Sequence, residues 1–130
     1  MNSGIEFHDS VVASVREADG SVEVVFSPGY VHISSGVPGV HPGEGHLQSV
    51  LFRFSEPHIT SARPLVVGRV SDGFLHVNHE RLSLVAFPFA ASGLVKLSLV
   101  FVTADTLEVV ASSVAVSAAG PSTYVERFTG

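Results

Sequence analysis

The chain has 130 residues, a formal net charge of −5 and no cysteine, and 45 % of its residues are apolar. This length fits a single domain with a sizeable core, so the predicted unit is residues 1–130. Seven basic residues against twelve acidic ones do not make the basic surface that nucleic acids require, and the negative charge disfavours anionic membranes. The sequence therefore predicts no nucleic acid and no membrane as partner.

Other features of the composition point to the cytoplasm. Without cysteine the chain can use neither disulfides nor thiol chemistry. Residues 1–8 lack the basic region and apolar run of a secretory signal, and no stretch has the ~20 consecutive apolar residues of a membrane span. We expect a cytoplasmic protein.

The first half of the chain predicts strands joined by glycine-rich turns. Apolar side chains alternate over residues 5–15 and again over residues 22–26, and Asp19-Gly20 between them is typical of a tight hairpin turn. Pro28-Gly29 should bend the returning strand and reset its phase. Residues 35–45 are rich in glycine and proline, which predicts an irregular loop that could act as a flap or binding surface.

The middle of the chain continues the alternation. Val50, Phe52 and Phe54 predict one strand face, and residues 65–70 predict a further strand that reverses at Asp72-Gly73. Another reversal is expected near residues 78–80, before a strand that ends at a proline.

Residues 93–120 predict the longest hairpin, with its turn at Asp105-Thr106. The inward residues of the second strand change phase near Ser112-Ser113, which indicates a β-bulge. Residues 123–128 fit either an edge strand or one helical turn. These patterns predict an all-β domain, either an antiparallel β-sandwich or a curled β-barrel.

Phe7-His8-Asp9-Ser10 contains the residue types of a hydrolase triad. Neighbours on a strand point to opposite faces, so we do not expect these side chains to form one. Asp9 falls on the apolar face, where a carboxylate needs a partner. Either the strand begins only at Val11 and Asp9 caps a loop, or Asp9 is buried against an arginine or a histidine.

Four residues are therefore candidates for buried polar groups. They are His8, Asp9, Arg53 and Arg69.

Seven histidines are many for this length, and three of them lie near the glycine loop. Neutral imidazoles together with a carboxylate can hold zinc or iron, so His32, His41, Glu44 and His46 are candidate ligands for a metal or small molecule. Residues 41–46 are faintly similar to part of a cupin metal motif but lack its His-x-His pair. The alternative is that these histidines are exposed loop residues and that the protein has no cofactor.

Three short motifs resemble a group of small uncharacterised bacterial proteins. They are Phe7-His8-Asp9-Ser10, Gly43-x-Gly45-x-x-Gln48 and Gly120-x-x-x-Tyr124-Val125-Glu126-x-Phe128. The first is also similar to openings found in some bacterial immunity-type β-proteins. The resemblance implies a bacterial, cytoplasmic, all-β protein and carries no activity.

Two functions and one mode of assembly follow. The leading hypothesis is a non-catalytic interaction module of an immunity-like type, whose acidic surface masks a basic protein partner. The alternative is a barrel with a small-ligand or metal site, as in a cupin-like enzyme, closed by the loop over residues 35–45. Leu94, Val100 and Val102 are apolar on the second face of their strand, so either a homodimer or another sheet of the same chain should cover them.

Overall fold

A computed structural model describes residues 1–129 and shows an all-β fold. The strands are β1 (Asn2–Glu6), β2 (Val11–Ala18), β3 (Ser21–Ser34), β4 (Gly43–Ser55), β5 (His58–Ile59), β6 (Gly68–Val77), β7 (Glu80–Leu82), β8 (Leu84–Phe87), β9 (Phe89–Phe101), β10 (Thr106–Ala118) and β11 (Thr123–Phe128). Across residues 1–129 there is no helix capable of spanning a bilayer.

Six strands close into an antiparallel barrel in the order β4-β10-β9-β6-β2-β3, and β3 pairs with β4 to complete the ring. Of the two predicted architectures, the barrel is the one that forms. Its interior is filled by side chains, with Phe7, Phe26 and Phe52 in mutual ring contact at centroid distances of 5.2 to 5.7 Å. Packing of this kind is what the alternating strands predicted.

β3 and β4 are longer than the barrel and carry a second sheet. Beyond a register shift between Phe26 and Gly29, β3 pairs with β1, while the first half of β4 pairs with β11. β8 adds to the free side of β1, which gives the order β8-β1-β3-β4-β11. This extension sheet brings both ends of the chain onto the same long hairpin.

Several predicted details are confirmed. Gly20 has φ 70°, as a tight turn after Asp19 requires, and the bulge lies between Ala111 and Ser113. The segment from 123 to 128 is a strand at the edge of the sheet, where its partner is β4.

The single strand predicted over residues 5–15 is two strands in the structure, β1 and β2. Asp9 has φ 72° and sits in a turn, so the chain leaves β1 and enters β2 in a different phase. As a result Val12 is buried, whereas Ala13, expected inside, is exposed.

The predicted turn at Asp72-Gly73 is wrong. Both residues lie within β6, whose register shifts between Val70 and Asp72. Glycine is required there because a Cβ on Gly73 would press against the side chains of Phe7 and Leu99. This glycine marks a close approach of the core to the strand rather than a reversal.

Two boundaries also differ from expectation. Residues 43–45, assigned to the irregular loop, already belong to β4, because Gly43 allows close approach to the backbone of Ile33. The turn of the longest hairpin covers residues 102–105, slightly before the predicted position.

Within residues 1–129, no other sheet of the chain covers the outer face of β9. Leu94, Val100 and Val102 are 68 %, 41 % and 60 % exposed, so this alternative is wrong. Their burial in a homodimer stays a prediction.

Candidate functional site

The outer face of the extension sheet carries a cluster of polar and aromatic side chains. β1 supplies Glu6, β3 supplies Tyr30 and His32, and β11 supplies Glu126 and Phe128. Strand register places these side chains together. Glu6 pairs with Tyr30, and His32 and Glu126 both pair with Gly45 of β4. We call these five residues the His32 cluster.

His32 is the centre of this cluster. Its Nε2 atom lies 2.8 Å from Oε2 of Glu6, and its ring stacks on Phe128 with centroids 5.0 Å apart. The Tyr30 ring meets it edge-on at 5.4 Å. Only 15 % of the His32 side chain is exposed, so the imidazole is held between a carboxylate and two aromatic rings.

Tyr30 connects the cluster to the C-terminal strand. Its hydroxyl donates a hydrogen bond to the Glu126 carboxylate. Burial raises the pKa of the Tyr30 phenol, and the negative charges of Glu126, Glu6 and Asp9 raise it further. The phenol therefore stays protonated and acts as a hydrogen-bond donor over the whole neutral range.

Gly45 makes room for the cluster. A Cβ at this position would overlap the Tyr30 hydroxyl and crowd the Phe128 ring. The neighbouring Gln48 donates from Nε2 to the carbonyl oxygen of Gly120 at 2.8 Å. The three motifs noted in the sequence thus meet on the β3–β4 hairpin.

The segment Phe7–Ser10 has a structural role. Phe7 is in the core, and the fully buried Ser10 donates from Oγ to the Glu6 carbonyl and accepts from the Tyr30 amide at 2.9 Å. Because β2 begins at Val11, the alternative in which the strand starts only there is confirmed, and residues 8–9 form a turn. Ser10, rather than Asp9, forms the hydrogen bonds to the neighbouring backbone groups.

None of the four candidates for buried polar groups is buried, so that alternative is wrong. His8, Asp9, Arg53 and Arg69 are all exposed. His8 and Asp9 do not diverge either, because the positive φ of Asp9 turns its carboxylate to 3.3 Å from Nδ1 of His8. Arg53 lies opposite Glu23 and Arg69 opposite Val11, and neither is paired with Asp9.

The candidate ligands lie in three different places. His32 contacts Glu6, His46 lies 3.0 Å from Glu44 on the other face of β4, and Nδ1 of His41 accepts a bond from the Val37 amide. Within residues 1–129, no three histidine or acidic side chains are arranged to hold a metal ion. His32 and His41 line a common cavity, but the four residues do not converge on one site.

A cleft of about 480 Å³ lies beside the His32 cluster. Glu6, His8 and His32 form one wall, Asp72 of β6 forms another, and the loop over residues 38–40 covers one side. We call it the acidic cleft. The glycine loop thus borders a surface cleft, not the barrel interior that the alternative function required.

The candidate residues predicted from the sequence do not include Glu6, Tyr30, Asp72, Glu126 or Phe128. Alternation in Tyr30-Val31-His32 does place two of the cluster's rings on one face, and this local signal could have been used. No local signal brings Asp72 or Phe128 to that face.

In comparisons with known proteins, no family model, curated protein or solved structure matches this chain. The geometry of the site is therefore the basis for function.

Proposed function

We propose that this protein is a non-catalytic interaction module that binds a basic protein partner through the acidic cleft. The observation that carries the proposal is the pair of carboxylates, Glu6 and Asp72, in a cleft whose described lining includes no lysine or arginine. Among residues 1–129, the ion pairs made by lysine or arginine are Arg16–Glu23, Arg63–Glu17 and Lys96–Glu108. None of these pairs reaches the cleft.

An arginine side chain of the partner fits this chemistry. A guanidinium donates several hydrogen bonds in one plane and can engage carboxylates on two walls of a cleft. The Glu6 carboxylate is already oriented by His32, which reduces the ordering needed on binding. The net charge of −5 would also steer a basic partner toward the protein.

The Phe7–Ser10 segment does not supply a hydrolase nucleophile. The Ser10 hydroxyl is fully buried and bonded to backbone groups of Glu6 and Tyr30, so it is not available for attack on a substrate. An immunity-like role in a bacterial cytoplasm, where a basic toxin is the partner, is consistent with the acidic charge and the lack of cysteine.

A pair of matched peptides tests the proposal. Acetyl-Gly-Arg-Gly-amide and its citrulline analogue have nearly the same shape and differ in charge. In an NMR titration of ¹⁵N-labelled protein, we expect the arginine peptide to shift the amides of His32, Gly73 and Leu84. It should bind at least about fivefold more tightly than the citrulline peptide, equivalent to roughly 1 kcal/mol.

Charge-neutral variants test which carboxylates bind the arginine peptide. Glu6→Gln and Asp72→Asn should each remove most of the preference for arginine, and added salt should weaken it. Asp19→Asn, in the β2–β3 turn, is the matched control and should leave the preference unchanged. Equal affinity for the two peptides, or equal effects of all three variants, would contradict the proposal.

A further inference from the structure

A second cavity lies on the other side of the glycine loop. It has a volume of about 440 Å³ and is lined by residues of the loop, β6, β7, β8 and the start of β9. Val37, Val77, Leu82 and Val85 are among its walls, and Glu80 stands among them as the one charged lining residue in the described part of the chain. We call it the apolar pocket.

The apolar pocket is separate from the acidic cleft. Pro38 and Leu84 line both cavities, so their side chains form a partition between them. The position of Leu84 is fixed because Gly4 of β1 leaves room for it, and a Cβ on Gly4 would overlap the Leu84 side chain. The two cavities therefore share a wall but have no charged lining residue in common.

Glu80 sets the charge that the pocket accepts. It is the first residue of β7 and pairs with Val77 across the turn. The next residue, Arg81, does not neutralise it, because its guanidinium lies over the Phe74 ring at 3.5 Å from the centroid. Within residues 1–129, no lysine or arginine is within ion-pair distance of Glu80.

We propose that the apolar pocket is a binding site for a small apolar amine. Its volume falls in the range of small-molecule sites, which are lined mainly by apolar side chains with a few polar groups that orient the ligand. The hydrocarbon body of the ligand would lie against Val77, Leu82 and Val85. Its ammonium group would pair with the Glu80 carboxylate at the rim.

Two ligands of equal length and opposite charge test this site. Both 2-phenylethylamine and 3-phenylpropanoate carry a phenyl ring on a two-carbon chain. In NMR titrations of the full chain, the amine should shift the amides of Val77, Leu82 and Val85 and bind at least about tenfold more tightly than the carboxylate. Glu80→Gln should reduce that ratio to below about threefold, whereas Asp19→Asn should leave it unchanged.

A second variant tests the cavity itself. Ala86 is an exposed residue that lines the apolar pocket, so Ala86→Phe should fill it and abolish binding of the amine while the spectrum keeps the dispersion of a folded protein. Binding unaffected by Ala86→Phe would overturn the proposal. So would a tenfold ratio that persists in Glu80→Gln, or amine-induced shifts confined to His32 and Gly73 of the acidic cleft.

Other occupants of the pocket give distinct results. Concentration-dependent broadening of the pocket amides without ligand would assign the pocket to a second copy of the chain. Shifts of the Val77, Leu82 and Val85 amides that the arginine peptide causes and the amine does not would assign the pocket to a partner protein, and either result overturns the proposal. Glu6→Gln should leave amine binding intact, so failure of the acidic cleft as a binding site is distinguishable from failure here.

Discussion

Substitution of Gly45 by alanine probes how the C-terminal strand is attached to the hairpin. Gly45 faces the His32 cluster, and an added Cβ would overlap the Tyr30 hydroxyl and crowd Phe128. The hydroxyl must move, which breaks its hydrogen bond to Glu126. Because β11 pairs only with β4 within residues 1–129, it has few other interactions to hold it.

The expected change in the free energy of unfolding is the sum of the contributions that this substitution removes and adds. A hydrogen bond to a charged group contributes ~1.5–3 kcal/mol, reduced to about 1–1.5 kcal/mol because Glu126 is exposed. Disturbing the stack of Phe128 on His32 removes about 0.5–1 kcal/mol more. Alanine is roughly 0.5–1 kcal/mol more favourable than glycine within a strand, because it loses less backbone conformational entropy on folding. The net decrease in the free energy of unfolding for Gly45→Ala should be about 1 kcal/mol.

A double-mutant cycle with Tyr30→Phe isolates the mechanism. Tyr30→Phe alone removes the hydrogen bond to Glu126 and should cost about 1 kcal/mol. In that background there is no hydroxyl to displace, so Gly45→Ala should cost close to nothing. The coupling between the two substitutions should therefore be about 1 kcal/mol, measured by urea unfolding of the four proteins.

Hydrogen exchange adds a local measurement. Gly45→Ala should speed exchange of the β11 amides and leave the barrel strands protected. If the effects of Gly45→Ala and Tyr30→Phe on the free energy of unfolding add to within about 0.5 kcal/mol in the double variant, the reasoning is refuted, because independent sites behave in that way. Unchanged exchange in β11 would refute it as well.

Three further predictions concern single side chains. The raised pKa of Tyr30 stabilises the fold below pH ~10, and this contribution is lost as the pH rises further. Tyr124→Phe leaves Tyr30 as the remaining tyrosine, so the tyrosinate absorbance should appear well above pH ~10 in the folded protein and near pH ~10 in concentrated urea. Coincident titration curves in the two conditions would contradict this. Phe52→Ala should lower the free energy of unfolding by about 3–5 kcal/mol, because this fully buried ring contacts three other core rings. A decrease below about 1 kcal/mol in urea unfolding would contradict the packing. His46→Phe should change the free energy of unfolding by less than about 1 kcal/mol in either direction, because two effects oppose each other. The substitution removes a buried Nδ1 atom that has no partner among the described residues, and it also removes the contact to Glu44. A decrease above about 2 kcal/mol in urea unfolding would contradict this.

The glycines show where local patterns are ambiguous. Asp19-Gly20 and Asp72-Gly73 are the same dipeptide, yet the first forms a turn and the second lies inside a strand. The second dipeptide pairs with Val100 and Leu99 of β9, and the side chains of Leu99 and Phe7 lie against Gly73. A dipeptide pattern carries no information about these contacts.

The predictions for the polar residues failed for a related reason. Alternation along a continuous strand predicts that Asp9 lies on the apolar face, but its φ of 72° ends the strand and exposes the side chain. The candidate metal ligands are close together in sequence but do not converge on one site in the fold. Strand alternation places His46 on the opposite face of the sheet from His32. His41 lines a cavity together with His32, but its Nδ1 atom already accepts a hydrogen bond from the Val37 amide.

By itself the sequence determined the all-β class, the turn of the first hairpin and the bulge in β10, because alternation of side chains and turn chemistry act over a few residues. Only the tertiary structure decided that the sheet closes into a barrel and that the motif segments share one hairpin. Tyr30 and Glu126 are 96 residues apart, and their hydrogen bond depends on β11 reaching β4 rather than any other edge. That choice of partner depends on packing summed over the whole chain, which no short stretch encodes.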